Sequence, residues 1–343
     1  MENTTKYQNS FVLLGITLVI CFILNISLGS VSIPFKSTLS ELFSGNIENE
    51  SWHYIIWKYR IPKALTAILA GSALALSGLL MQTLFRNPLA GPFVLGISSG
   101  ASLGAALLIM GASIFSGVAT FEIANSVSLA LGASLGSFLV LLAVLTVASR
   151  VKDTMALLII GLMFGSITAA IVSVLSYFTT SEKLQRYVYW SFGSLGDLSW
   201  YQLSLLGGII LMGILLGIAS IKSLNALLLG ENYARSMGLQ LKKSRYIIII
   251  ATALLAGSVT AFAGPIAFVG LAVPHLTRQI FNTTDHKVLM PAVLLYGAIL
   301  MLLCDIVAQI PSSANVLPIN AITSIIGAPV VIWLLTRKRR MLF

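Results

Sequence analysis

Long apolar stretches, about ten of them, fill this chain of 343 residues, and its charges lie almost entirely between them. Stretches such as 11–31, 200–221 and 290–308 run for about 20 residues, the length of helix that crosses a hydrocarbon core of about 30 Å. Because a bilayer interior offers no water to the backbone, each stretch must satisfy its own hydrogen bonds as a helix. The sequence therefore predicts an all-α, polytopic membrane protein.

The composition excludes a water-soluble fold. Charged residues make up 9% of the chain and hydrophobic residues 57%, whereas a soluble domain carries about 25% charged residues. The longest polar insertions, near 32–60 and 222–245, are too short for a folded soluble domain. We therefore expect residues 1–343 to form one transmembrane domain. The first apolar stretch is too long for the core of a cleaved signal peptide and should be a span.

Ten transmembrane spans are predicted from the apolar pattern. They lie at 11–31, 61–82, 93–112, 122–149, 154–178, 200–221, 246–263, 266–281, 289–308 and 319–336. The eighth span is the least regular, because Gly264 and Pro265 break the chain before it and Pro274 interrupts it.

The net charge of +10 is explained by membrane topology and does not require a nucleic-acid partner. If the N-terminus is cytoplasmic and ten spans alternate, most of the 21 Lys and Arg residues lie on the cytoplasmic side, including the basic run at 337–340. The positive-inside rule then predicts an inner (plasma) membrane protein with both termini in the cytoplasm.

Small residues concentrate at 70–78 and 96–104, where they allow helix backbones to approach closely. They could serve helix packing, line a translocation path, or do both. Asp305 is the clear intramembrane acid, and we expect it to tie helices together rather than to carry protons. Cys21 and Cys304 are expected to be apolar packing residues without a disulfide.

Several motifs occur together and in a fixed order. They read FRNPLAGPFVLGISSGA from Phe85, FVGLAVPHLTR from Phe268, DHKVLMP from Asp285 and IGAPVVIWLL from Ile326. From Arg60 to Leu335 the chain resembles the permeases of type II ABC importers of the FecCD type. The resemblance implies that permease fold and import of a metal chelate. Ferric siderophore is the expected substrate, with haem or vitamin B12 (cobalamin) as the alternative. His275 and His286 belong to these motifs and should be hydrogen-bonded structural residues, not metal ligands.

The turn between the second and third spans carries Asn87 and Leu89, next to Asn-Pro and Gly-Pro pairs that force the chain to bend. The resemblance implies that Asn87 and Leu89 form part of a cytoplasmic gate. An ordinary tight turn is the alternative.

Residues 222–245, called the coupling segment below, should contain a short amphipathic helix that ends at a glycine. An apolar helix face of this kind fits a hydrophobic groove on a partner. The resemblance implies that the segment docks onto the ATPase subunit; a solvated basic loop is the alternative. The implied coupling residues are Gly230, Glu231, Ala234, Arg235, Met237 and Gly238.

Arg60 and Lys63 flank Pro62 at the expected outer start of the second span. The resemblance implies that they dock a substrate-binding protein, although Lys63 replaces an Arg and loses its bidentate geometry. The alternative is that both side chains snorkel to the membrane interface. The chain departs from the family pattern at Gln309, where some relatives have a basic residue, and at Val316 and Asn320.

The chain contains no GxxxxGK[ST] phosphate-binding loop, so it should bind no cofactor and hydrolyse no ATP itself. The resemblance implies a second copy or a homologous permease, two ATPase subunits that use ATP and Mg²⁺, and a binding protein that delivers the chelate. An ion-coupled secondary transporter would need several buried carboxylates, and only Asp305 is available. An intramembrane enzyme would need a catalytic constellation at mid-membrane depth, and none is visible.

Overall fold

The structure is a computed structural model that describes residues 5–29, 31, 33–44, 49–111, 126–148, 154–309 and 316–336. The predicted span residues 30, 112, 122–125 and 149 and the basic run at 337–340 lie outside this part of the chain. Within it, the only strand-like pairing is one isolated bridge between Gln309 and Val316. The predicted all-α fold class is confirmed.

Sixteen α-helices follow one another along the described part of the chain. They are α1 (Thr5–Ser27), α2 (Phe35–Ser44), α3 (Glu50–Ile55), α4 (Ile61–Leu84), α5 (Ile97–Met110), α6 (Ser126–Ala148), α7 (Thr154–Phe178), α8 (Ser181–Ser191), α9 (Trp200–Ala219), α10 (Ile221–Leu228), α11 (Glu231–Ser236), α12 (Leu241–Thr252), α13 (Ser258–Ala263), α14 (Val269–Phe281), α15 (His286–Ala308) and α16 (Ile319–Thr336).

Seven helical stretches of the described chain are long and apolar enough to cross a membrane. They are Tyr7–Ser27, Glu50–Leu84, Val127–Val147, Ala156–Phe178, Trp200–Ala219, Leu241–Ala263 and His286–Ala308. The other three predicted spans correspond to the shorter helices α5, α14 and α16. The protein is therefore a multi-pass membrane protein, and each predicted span coincides with helical structure.

The second span differs from the prediction at its start. A continuous helical stretch runs from Glu50 to Leu84, so Arg60 lies inside a helix and not at its beginning. A π-turn at Ile56–Arg60 joins α3 to α4. Pro62 explains the irregularity, because it lacks an N–H and its ring would clash with the carbonyl four residues earlier. A π-turn relieves this clash.

Three further helices were not predicted because they are too polar or too short for a span. Helix α2 lies in the predicted insertion 32–60, and α8 follows α7 directly. In the coupling segment, α10 precedes the expected short helix α11.

Helix α4 is the centre of the bundle and packs against α1, α9, α12, α14 and α15. Its glycines let the backbones touch. A Cβ atom on Gly71 would lie 2.2 Å from the carbonyl oxygen of Gly297 in α15, and one on Gly78 would lie 1.8 Å from that of Gly270 in α14. Helices α5 and α6 meet in the same way, with Gly104 against Gly132. The packing role predicted for the small residues is confirmed.

Other helices turn large apolar side chains outward. Helix α7 exposes Ile159, Met163 and Phe178, and α16 exposes Ile325 and Ile332. In water such surfaces would be unfavourable. They fit a molecule whose surroundings are lipid or another membrane-embedded chain.

We predict that Gly78→Ala destabilises the protein, because the added methyl group has no space beside the Gly270 carbonyl. The free energy of unfolding in an SDS titration should fall by about 1–3 kcal/mol, as expected for overpacking. Gly208→Ala in α9 is the matched control, since no atom lies within 4 Å of a Cβ there. Equal stability of the two variants would contradict the close contact.

Candidate functional site

The candidate site residues lie at two opposite ends of α4. Arg60 and Lys63 mark one end, called the Arg60 end. The other end is marked by the turn at residues 86–91, called the Asn87 turn. Helix α15 runs antiparallel to α4, so that Asp305 approaches Lys63 and His286 approaches Thr83.

A cavity of about 640 Å³ opens at the Arg60 end. Its size falls within the range of small-molecule pockets. Four charged side chains and several apolar or aromatic ones surround it. The lining includes Tyr59, Arg60, Lys63, Tyr189, Phe192, Asp197, Asp305, Gln309, Val316 and Leu317.

Arg60 is buried, and its guanidinium group binds backbone carbonyls. It donates to the carbonyl oxygens of Ile26 (2.7 Å) and Ser27 (2.8 Å) at the C-terminal end of α1, and to that of Val31. The last carbonyls of a helix have no partner within the helix and carry its negative dipole end. Arg60 therefore caps α1 and fixes the segment that follows it.

Lys63 is paired inside the chain. Its Nζ atom lies 3.0 Å from Oδ1 of Asp305, whose side chain is 3% exposed. Asp305 also accepts hydrogen bonds at Oδ2 from Asn25 in α1 (2.8 Å) and from Gln309 (2.7 Å). The carboxylate thus joins α1, α4 and α15, which confirms the expectation that it ties helices together. The binding-protein docking role of Arg60 and Lys63 stays a prediction.

The residues that depart from the family pattern make contacts of their own. Gln309, at the place where some relatives have a basic residue, donates to Asp305 and pairs with Val316 across the isolated bridge. Asn320 accepts a hydrogen bond from the backbone N–H of Ala267 at 3.0 Å. It also donates its own N–H to the Phe192 carbonyl. These contacts hold the start of α16 beside the cavity.

The Asn87 turn is a tight, hydrogen-bonded bend. The Oδ1 atom of Asn87 accepts from the N–H of Leu89 at 2.9 Å, and Arg86 adopts a positive φ of 46°. His275 in α14 donates from Nε2 to the Pro88 carbonyl at 2.8 Å. This confirms the structural role expected of His275. Leu89 is exposed, and the gate role of Asn87 and Leu89 stays a prediction.

The coupling segment forms the expected short helix between two glycines. Gly230 has a φ of 105° and Gly238 a φ of 83°, backbone conformations that favour glycine. Ala234 is buried, whereas Arg235 and Met237 are exposed. Glu231 forms a 2.5 Å ion pair with Arg245 at the start of α12. This pair fixes α11 against the membrane-spanning part of the chain.

The apolar side chains of the coupling segment also face outward. Leu229, Tyr233 and Met237 are all more than half exposed. They form an apolar surface at the end of the bundle that also carries the Asn87 turn. The two features are close, since a Cβ atom on Gly230 would lie 3.6 Å from a guanidinium nitrogen of Arg86.

The FecCD transport family model matches residues 17–337. The chain belongs to the FecCD transport family. It is similar to the vitamin B12 import system permease protein BtuC of Klebsiella pneumoniae, with 39% identity over 334 residues that cover 95% of this chain and 94% of the relative. The corresponding BtuC of Salmonella paratyphi A is 40% identical over 287 residues, 83% of this chain and 84% of the relative.

A solved structure of a metal-chelate type ABC transporter in an inward-facing conformation has the same fold. It superposes with a TM-score of 0.82 at 31% identity and covers 96% of this chain and 99% of that one. The resemblance to FecCD-type permeases and the predicted permease fold are thereby confirmed. This FecCD chain is a transport permease of the ABC importer type.

A polar network beside the Asn87 turn was not predicted. His286 is buried and lies between Asn225 in α10 and Thr83 in α4, with bonds of 2.7 and 2.9 Å. Asp285 caps α15 and accepts from Asn225 and from the N–H of Lys287. Burial opposes ionisation of Asp285, but these hydrogen bonds hold its pKa below the usual range. The hydrogen-bonded role expected of His286 is thereby confirmed, whereas its partners Asn225 and Thr83 were not predicted.

We predict that Lys63→Met destabilises this permease, because it leaves the Asp305 carboxylate buried without a counter-charge. Breaking such a pair costs about 3 kcal/mol, measurable by SDS-induced unfolding. The double variant Lys63→Met/Asp305→Asn should recover most of the loss, since neither charge then remains. A double variant as unstable as Lys63→Met alone would contradict the ion pair.

Proposed function

We propose that this FecCD permease imports vitamin B12 or a closely related corrinoid. The supporting observation is the 39% identity to a vitamin B12 permease over 95% of this chain. The similarity to vitamin B12 permeases thus favours vitamin B12, the alternative substrate, over ferric siderophore, which was the main expectation from the sequence. Haem is the remaining alternative. A corrinoid is itself a metal chelate, in agreement with the metal-chelate type transporter of similar structure.

The proposed assembly contains two copies of this chain, two cytoplasmic ATPase subunits and a substrate-binding protein. The exposed apolar faces of α7 and α16 support association within the membrane. Because Tyr233 in α11 and Met237 just after it are exposed, this surface suits a hydrophobic groove on an ATPase subunit. ATP and Mg²⁺ would act on that subunit, and this chain would bind neither.

The proposed location is the inner membrane, with both termini in the cytoplasm. The coupling segment would then face the cytoplasm, and its basic residues Lys222, Arg235, Lys242 and Lys243 agree with the positive-inside rule. The Arg60 end would face the periplasm or cell exterior, where the binding protein delivers its substrate.

The proposed mechanism is alternating access between the two copies. The corrinoid enters at the Arg60 end while the path is closed at the Asn87 turn, where Asn87 and Leu89 form the gate. Rearrangement of the ATPase subunits moves α11, and the Glu231–Arg245 pair carries this movement to α12. The gate opens and the corrinoid leaves toward the cytoplasm.

The substrate is tested by uptake in a strain that lacks the gene for this chain but keeps its partner subunits. Labelled cobalamin, ferric siderophore and haem are supplied separately. We expect the wild-type chain to restore cobalamin uptake only, and a variant ATPase unable to hydrolyse ATP to abolish it. If the chain restores ferric siderophore uptake but not cobalamin uptake, the protein is a ferric siderophore permease and the vitamin B12 proposal is wrong.

The coupling role is tested with Glu231→Ala, which removes the ion pair, and Gly238→Val, which strains a φ of 83°. Both variants should fold but hydrolyse more ATP per molecule imported in proteoliposomes. The control is Asn232→Ala, an exposed neighbour in α11. Normal import by both variants would remove the coupling assignment.

A further inference from the structure

The last turn of α4 connects the coupling segment to the Asn87 turn through one chain of hydrogen bonds. We propose that Asn225, acting through His286 and Thr83, transmits movement of the coupling segment to the Asn87 turn. Asn225 is a positioning residue in this role and touches no substrate. The inference rests on the proposed function, because it requires that the coupling segment move with an ATPase partner.

Both ends of the Asn225 amide are engaged. Its Nδ2 atom donates to Oδ1 of Asp285 at 2.7 Å. Its Oδ1 atom accepts from the backbone N–H of His286 at 3.0 Å and from the ring Nδ1 of His286 at 2.7 Å. Because the carboxylate accepts and the backbone N–H donates, only one orientation of the amide satisfies all three contacts.

This orientation fixes the protonation of His286. Asn225 presents an oxygen, so Nδ1 must carry the proton, and in the neutral ring Nε2 is then an acceptor. The Oγ1 atom of Thr83 lies 2.9 Å from that Nε2. The Thr83 hydroxyl therefore donates to His286 as long as Asn225 remains in place.

The Thr83 hydroxyl proton also has a second acceptor within reach. Its Oγ1 atom lies 2.9 Å from the Leu79 carbonyl one turn earlier in α4. A hydroxyl has one proton and can donate to only one of the two acceptors at a time. If α10 withdraws Asn225, the His286 ring is released and the Thr83 hydroxyl can return to Leu79. This gives the two discrete arrangements that transmission between sites requires.

The backbone of the same turn holds the Asn87 turn. The carbonyl of Thr83 accepts from the N–H of Arg86 at 3.2 Å, and the carbonyl of Gln82 accepts from the N–H of Asn87 at 3.1 Å. The side chain of Gln82 is anchored to α14, because its Oε1 accepts from Arg278 at 2.9 Å. A change at Thr83 thus reaches the turn directly, while Gln82 keeps the neighbouring residue fixed.

The test uses the complete transporter, with its ATPase subunits and binding protein, in lipid nanodiscs and proteoliposomes. Leu89 is replaced by a spin-labelled cysteine after Cys21 and Cys304, both buried, are changed to alanine. Two quantities are measured in each variant. One is the ATP-dependent change in distance between the labels of the two copies. The other is the ATP hydrolysed per cobalamin imported, which is measured in protein that keeps Leu89.

Asn225→Ala and the near-isosteric Thr83→Val both break the chain of hydrogen bonds. We expect each to abolish the label movement and to raise the ATP hydrolysed per cobalamin about tenfold, the size expected for one buried hydrogen bond. The double variant should be no worse than Asn225→Ala alone. If Asn225→Ala fails to fold, Thr83→Val decides the question.

Two controls separate transmission from packing. Thr83→Ser keeps the hydroxyl group and should behave like the wild type. Ser223→Ala removes a different polar contact of α10, the 3.2 Å bond from Ser244, and should do the same. Full label movement in Thr83→Val, or its loss in Ser223→Ala, would overturn the inference. Absence of cobalamin import by the wild type would instead overturn the proposed function, since the label movement requires only ATP.

Discussion

The structure depends on backbone-to-backbone contact between α4 and its neighbours. Gly71 and Gly78 face Gly297 and Gly270 so closely that no side chain fits between the helices. In lipid there is little hydrophobic gain from helix association, so close packing must supply the attraction. Because α4 contacts α15 at Gly71 and α14 at Gly78, we expect the three helices to move as one body. Its two ends are where a conformational change can be absorbed.

Each end of α4 carries a cluster of buried polar groups, and the clusters differ in kind. At the Arg60 end the groups are charged, and Asp305 is held by donors from α4, from α1 and from Gln309 just after α15. The charged groups Asp285 and Arg278 are present at the other end too, but there the Thr83 hydroxyl lies within reach of two acceptors, His286 and the Leu79 carbonyl. Removing one member of a buried ion pair is costly, whereas a hydroxyl can exchange acceptors easily. The Asp305 cluster therefore suits a fixed contact between helices, and the Thr83–His286 cluster suits a contact that changes during transport.

The sequence predicts the spans well because each one is a local property of composition and length. The tight turn at Asn87 and the glycines that bound α11 were equally accessible, since Pro and Gly restrict the backbone locally. The continuous stretch Glu50–Leu84 was missed, because its first part is too polar to read as a span and Pro62 suggested a helix start. Helix α8 was missed for a similar reason.

The polar clusters could not be predicted, because their members are far apart in sequence. Asn225 and His286 are separated by 61 residues, and Lys63 and Asp305 lie in the second and ninth predicted spans. Periodicity indicates which face of a helix is buried but not which two faces meet. Arg60 shows the consequence. The family resemblance implied a docking charge, whereas the fold directs its guanidinium group to the end of α1.

The position of Arg60 also constrains how a binding protein could use it. An acidic side chain at the cavity mouth would have to compete with the Ile26 and Ser27 carbonyls for the same donors. Because a carboxylate is a stronger acceptor than a carbonyl, an acidic side chain that binds Arg60 would draw its donors away and loosen the cap on α1. Docking at the Arg60 end would then act on α1, α4 and α15. The coupling segment contacts α4 and α15 at their opposite ends, through Asn225, His286 and Thr83. One central helix could in this way respond to partners on both faces of the membrane.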